Sequence, residues 1–169
     1  MRLTAYTDYS VRVLMYLALV PDRRVTIDEV SDAYGISANH VMKITHRLGR
    51  LGYVETIRGR SGGLRLAGSP EEIKLGELVR HMEGDLALVE CMQPEHRESC
   101  RITPACHLAV VFAKAANAFL GILDQHTLAD IVRNSTRLKA LLGTESAPYA
   151  RPPGASAKCP PRGRTRKRP

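Results

Sequence analysis

Between residues 24 and 67 the chain carries a fixed order of local instructions. A Thr26–Glu29 pair has capping-box spacing, Gly35 stops a helix, Ser37 starts another, and the segment GRSGG turns the chain back on itself. Thr26 and Glu29 can satisfy the free N–H groups of a helix start, and Ile27, Val30 and Ala33 recur at helical spacing as its buried face. Ser37 caps a second helix, ANHVMKITHRLGRLG, with Val41, Ile44 and Leu48 inward. Two short helices joined by a glycine-containing turn predict a helix-turn-helix. YVETIR at 53–58 and LRL at 64–66 then read as strands, with the glycines supplying the tight turn between them. A hairpin directly after a helix-turn-helix is a wing. Its tip carries Arg58 and Arg60, and Arg65 lies on the return strand. The expected fold is mainly α with this small β-wing.

The flanking segments read as helices. Residues 7–19 place Val11, Leu14, Met15 and Ala18 on one stripe, with Thr7 as the expected N-cap. Residues 69–84 begin Ser-Pro-Glu-Glu, which predicts a helix capped by Ser69 with proline in its first turn. A cysteine-bearing loop follows at 85–103. The longest predicted helix, PACHLAVVFAKAANAFLGILDQH, carries an apolar seam of Leu108, Val111, Phe112, Ala115, Phe119 and Ile122. Ala105, Ala109, Ala113 and Ala116 allow close backbone approach. A short helix begins at Thr127. The chain therefore divides into a winged helix-turn-helix domain (1–68), a connecting helix (69–84), the cysteine loop (85–103), dimerisation helices (104–144) and a tail (145–169). The long helix is more apolar than one small domain needs, which predicts a homodimer, burial within the monomer being the competing reading. A two-fold dimer would set two recognition helices roughly 34 Å apart, one turn of DNA, and so predicts a palindromic operator.

The recognition helix offers Ala38, Asn39, His40, Lys43 and Arg47 on its exposed side. Asn and Lys side chains reach base edges, whereas Ser37, Lys43 and Arg47 can reach phosphates. Arg60, beside Gly59 on a narrow tip, suits a minor groove, and Arg58 and Arg65 flank it. An ordinary solvated hairpin is the alternative for these arginines. His46, His81 and His126 read as surface or partly buried helix residues rather than ligands. No nucleophile–base pair stands out, and GRSGG lacks the Lys-Ser/Thr ending of a phosphate loop. The chain does not read as an enzyme.

Charge separates the folded part from the tail. The net charge of +8 combines 18 Lys/Arg and 16 Asp/Glu in residues 1–144 with seven Lys/Arg and one Glu in residues 145–169. The tail is rich in Pro, Gly and Arg, cannot bury a core and reads as disordered. It can add salt-sensitive attraction to DNA, or serve only as a solvated extension. No apolar run is long enough to span a membrane, and the N-terminus lacks a signal-peptide layout, so a cytoplasmic location is expected.

Cys91, Cys100 and Cys106 lie in one stretch with spacing C-x8-C-x5-C, while Cys159 sits apart in the tail and reads as a free thiol. In a reducing compartment clustered cysteines are metal or redox ligands rather than structural disulfides. Three thiolates suit zinc, completed by His96 or His107, or an iron–sulfur cluster with a nitrogen or oxygen fourth ligand. A metal-free thiol–disulfide sensor is a third option.

The segments MRLTAYTDYSVRVLMYLA, ISANHVMKI, LGYVETIRGRSGGLRLA, ITPAC and FLGILDQHTLADIV resemble, in order, those of the nitric-oxide-sensing repressors among the winged-helix iron–sulfur regulators. The likeness spans about residues 1–142. It implies a dimeric repressor that binds palindromic double-stranded operator DNA and lets go when nitric oxide attacks its cluster. It also implies cluster ligation by Cys91, Cys100 and Cys106, with Asp8 as fourth ligand donated by the other subunit. From the residues alone, Asp8 is a first-turn carboxylate facing the helix dipole. A 4Fe–4S cluster is favoured by the resemblance and 2Fe–2S is the alternative. The related regulators of iron–sulfur biogenesis carry a ligating His three residues after the last cysteine, where this chain has Ala109, which favours the nitric-oxide branch. An iron- or redox-responsive regulator of the same superfamily, or a zinc-containing one, is the runner-up. The gap between Cys91 and Cys100 is long, with PEHRE as a small insertion.

Overall fold

The computed structural model describes residues 2–59, 62–96 and 100–144. Arg60 at the expected wing tip, the 145–169 tail and Cys159 lie outside the described residues. The chain runs α1 (Ala5–Leu19), α2 (Ile27–Tyr34), α3 (Ala38–Arg50), β1 (Val54–Ile57), β2 (Gly63–Leu66), α4 (Leu75–Met82), α5 (Leu108–Asp124), α6 (Leu128–Ile131) and α7 (Ser135–Leu142).

The helix-turn-helix forms as its caps dictate. Thr26 and Glu29 make the reciprocal capping box, and Gly35 ends α2 at φ 64°, a left-handed conformation that a side chain would penalise. Ser31 Oγ donates to the carbonyl of Ile36 at 2.6 Å and fixes the turn. Ser37 Oγ accepts from the His40 amide and opens α3. Val41, Ile44 and Leu48 of α3 pack with Val13, Leu14 and Leu17 of α1, Val30 of α2, Leu78 of α4 and Leu128 into one core. β1 and β2 pair antiparallel with Val54 opposite Leu66 and Ile57 opposite Gly63. Val25 and Leu64 exchange backbone hydrogen bonds of 2.9 and 2.8 Å, which fastens the wing to the strand-like entry into α2.

Three expected helix starts are displaced. α1 begins one turn earlier than the sequence suggested. Thr4 is its cap, accepting from the Thr7 amide, and Thr7 is fully buried. The 69–84 helix begins only at Leu75. Ser69–Glu72 instead closes a separate turn, with the Glu72 amide on the Ser69 carbonyl and the Ser69 amide on the Glu72 carboxylate. Tertiary pairing overrides the local helix signal here. Leu75 N–H donates to the His126 carbonyl and Leu128 N–H to the Ile73 carbonyl, which holds 73–75 extended against the start of α6. The long helix also starts later than expected. Thr103–Ala105 is a 3₁₀ turn ending at Cys106, and α5 begins at Leu108.

α5 is tied to the reader through α4. Gly76 lies against Asp124, where a Cβ would sit 2.8 Å from the Asp124 Cγ and 3.0 Å from its backbone nitrogen. One turn on, Arg80 donates to both carboxylate oxygens of Asp124 at 2.7 and 2.6 Å. That bond holds the Asp124 carboxyl below its ordinary range. Leu120 of α5 is buried, but one side of the helix is open: Leu108 is 53 % exposed, Val111 58 % and Ile122 60 %.

Candidate nucleic-acid interface and cysteine loop

At 3.6 residues per turn, the buried stripe of α3 leaves Asn39, Met42, Lys43, His46 and Arg50 facing outward, and all five are exposed. Ser37 and Ala38 are exposed at its start. Two further sequence candidates, His40 and Arg47, are also exposed and make contacts within the chain as well. His40 lies 6.3 Å, centroid to centroid, from the Tyr9 ring of α1. Arg47 donates through Nη2 to the main-chain carbonyl of His81 at 2.7 Å, so its guanidinium secures α3 to the end of α4. His46 and Arg50 occupy the middle of the outward face, yet were not singled out as DNA contacts. The wheel centred on Val41, Ile44 and Leu48 was enough to find them. On the wing, Arg58 is exposed beside the hairpin turn. Arg65 pairs across the strands with Glu55 at 2.7 Å, so its charge is engaged away from the tip.

The three cysteines are distributed over separate turns of the loop between α4 and α5. Cys91 lies in the 3₁₀ turn Glu90–Met92, Cys100 opens a turn in which its carbonyl accepts from the Thr103 amide, and Cys106 closes the 3₁₀ turn Thr103–Ala105 two residues before α5. Cys100 is exposed and the other two are half-buried; all three are free thiols. Among the described residues they do not come together as a group able to hold a metal ion. The segment is built of short 3₁₀ turns, Glu90–Met92, Pro94–His96 and Thr103–Ala105, which set the three thiols on separate turns. The donor chemistry nevertheless fits an iron–sulfur group. Three uncommitted soft ligands lie on one adaptable segment, and the Thr103 hydroxyl between Cys100 and Cys106 is buried without a hydrogen-bond partner.

The loop is anchored where it leaves α4. Asp85 accepts from the Ala87 amide at 2.7 Å and from the Gln93 side chain, and its carboxyl is lowered chiefly by the Gln93 bond. Glu83 accepts from both the amide and hydroxyl of Thr4, at 2.8 and 3.1 Å. His81 shares a 2.8 Å hydrogen bond with the Tyr53 hydroxyl, and burial pushes the Tyr53 phenol up to about 12. Residues 81–83 thus receive the cap of α1, Arg47 of α3 and Tyr53 at the entry to β1, immediately before the cysteine loop begins. Asp8, in the first turn of α1, is paired with Arg12 at 2.8 Å. Arg12 in turn lies over the rings of Tyr9 and Tyr34 at 5.8 and 6.0 Å.

A helix-turn-helix with an open polar face, followed by a two-stranded wing, defines a winged helix-turn-helix regulator of transcription. The family model Rrf2, described as an iron-dependent transcriptional regulator, matches residues 3–134. The chain is 50 % identical over 143 residues to the transcriptional regulator NsrR of Bacillus licheniformis, covering 84 % of this chain and 99 % of that protein. It is 48 % identical over 143 residues to NsrR of Bacillus subtilis, covering 84 % and 97 %. The fold is shared with IscR of T. potens (TM-score 0.62, 24 % identity, 80 % and 88 % covered). It is shared equally with CymR, described as the global cysteine regulator of B. subtilis (TM-score 0.62, 21 % identity, 79 % and 98 % covered). The chain belongs to the Rrf2 family of iron-dependent transcriptional regulators, within its NsrR branch, and is a DNA-binding transcriptional repressor. Among the described residues no helix is long and apolar enough to cross a membrane.

Proposed function

We propose that the chain is a nitric-oxide-responsive repressor that acts as a homodimer on a palindromic operator. Three unpaired cysteines, set on the one segment that joins the DNA reader to α5, carry this reading. Cys91, Cys100 and Cys106 would hold an iron–sulfur cluster, 4Fe–4S in preference to 2Fe–2S, with Asp8 of the other subunit as fourth ligand. When bound, such a cluster supplies iron–ligand bonds that nitric oxide breaks.

The chain's own residues supply the rest. The exposed apolar face of α5, including Leu108, Val111 and Ile122, seats the second copy. To serve the partner's site, Asp8 gives up Arg12. That exposed pair contributes little, about 0–1 kcal/mol, so the exchange is inexpensive. A change in the position of the cysteine loop acts first on residues 81–83. Through the Arg47–His81 bond it reaches α3, and through the Thr4–Glu83 bonds it reaches the start of α1. Ser37, Asn39, His40 and Lys43 meet the operator from α3, and Arg58 and Arg60 meet it from the wing. The energies are sufficient: loss of one or two base contacts, at about 1–3 kcal/mol each, weakens binding from about fivefold to more than ten-thousandfold.

The test is paired. Anaerobically purified protein is expected to show visible absorption with bound iron and sulfide, bleached by nitric oxide, and to bind palindromic DNA in gel shifts. Cys100→Ala protein is expected to be colourless and to bind that DNA weakly. Tight operator binding by the colourless variant, or a wild-type protein holding only zinc, would refute the reading.

A further inference from the structure

The outward face of α3 carries one residue that packing does not require. Met42 is 51 % exposed, although the apolar needs of α3 are met by Val41, Ile44 and Leu48 on the opposite side. It stands at the groove between α3 and the wing, whose floor includes Ile27, Val54 and Leu64 and whose rim carries His46, Arg50 and Arg58. Asn39 lies three residues before it and His46 four residues after it, so the three form one column along the exposed face. Lys43 and Arg50 beside the column, and Arg58 across the groove, give the surface around Met42 a positive charge that matches a phosphate backbone. The Met42 side chain is thus an exposed apolar tip flanked by cationic side chains.

We propose that Met42 is a specificity-determining residue that reads thymine, packing its side chain against the C5-methyl group in the major groove. This rests on the assignment of α3 as the recognition helix. The chemistry is selective because thymine alone among the four bases presents a methyl there, and an apolar side chain reads it without a hydrogen bond. Thr45, the neighbouring side chain on the groove side, is buried and its Oγ1 donates to the Met42 carbonyl at 3.0 Å, so Met42 is the one that projects outward there. Asn39, one turn nearer the start of α3, is placed to pair with adenine N6 and N7. The half-site is therefore expected to hold a thymine next to the base read by Asn39.

The experiment uses the full-length, cluster-loaded protein and a duplex selected by it from random sequence. Each thymine of one half-site is replaced singly by deoxyuridine, which removes the methyl and leaves base pairing intact. One position is expected to lower affinity about fourfold, the value of one buried methyl-sized group. With Met42→Ala protein, which keeps the buried face of α3, that position is expected to become indifferent, and Met42→Leu is expected to restore most of the effect. Wild-type protein that binds every uracil duplex as well as the parent would overturn the proposal. So would an effect that persists unchanged in Met42→Ala. Failure of the selection to yield any bound duplex would instead overturn the recognition-helix reading itself, and with it this inference.

Discussion

Replacing Gly76 by alanine tests how closely α4 and α5 are joined. In an exposed helix the change would stabilise, because alanine is favoured over glycine by about 1 kcal/mol. Here the new Cβ would lie 2.8 Å from the Asp124 Cγ and 3.0 Å from the Asp124 backbone nitrogen. The carboxylate can swing away, but the backbone contact requires the end of α5 to move. Overpacking of this kind costs about 1–3 kcal/mol. Displacing Asp124 also breaks its bond to Arg80, an exposed pair that adds little to the cost. Set against the helix gain, the net is a destabilisation of about 1–2 kcal/mol, or a fall in Tm of about 3–8 °C for a domain of this size. Thermal unfolding at fixed protomer concentration measures it. Repeating the substitution in an Asp124→Ala background isolates the side-chain part, and the penalty is expected to shrink there while the backbone part remains. A Gly76→Ala protein more stable than wild type would show that the two helices are not in close contact and that Gly76 is an ordinary helix glycine.

Further outcomes follow from the caps, the core and the reader. Thr26→Ala removes the capping box of α2 and is expected to cost about 1 kcal/mol in denaturant unfolding. Leu48→Ala, at a fully buried position, is expected to cost about 2–5 kcal/mol by the same measurement. Lys43→Ala is expected to reduce the slope of log affinity against log salt by about one, as loss of a phosphate contact does. Arg47→Ala is expected to lower stability and affinity with little change in that slope, because its guanidinium holds the His81 carbonyl; a slope change equal to that of Lys43→Ala would contradict this. Hydrogen bonds from the Thr127 amide and hydroxyl hold Asp130 below its usual value of 3.8. Because the folded value is depressed, the stabilisation is complete above about pH 4 and is lost as pH falls through the lowered value. The stability gap between wild type and Asp130→Ala is therefore expected to be constant near neutrality and to close in acid.

The reader was legible because its signals are local. Thr26 with Glu29, Gly35 and Ser37 each decide a backbone conformation within a few residues, and the hairpin glycines do the same. What escaped was set by distant partners. Ser69-Pro-Glu-Glu looks like a helix start, yet Ile73 and Leu75 are claimed by Leu128 and His126. The bond from Arg47 to a carbonyl thirty-four residues away has no local signal in the sequence. The outward position of His46 and Arg50 needed only the helical wheel, whereas the tie of Arg65 to Glu55 needed the strand register. The cysteine spacing announced soft-ligand chemistry; it carries no information on how separate turns draw together.

The convergence on residues 81–83 bears on how such regulators can be recombined. A hybrid that grafts the sensing loop of one relative onto the DNA reader of another would cut through bonds made by Thr4, Arg47 and Tyr53. Those three side chains and the short segment that receives them must come from one parent, so a crossover is better tolerated beyond Glu83 than at the wing–α4 boundary that the order of elements suggests.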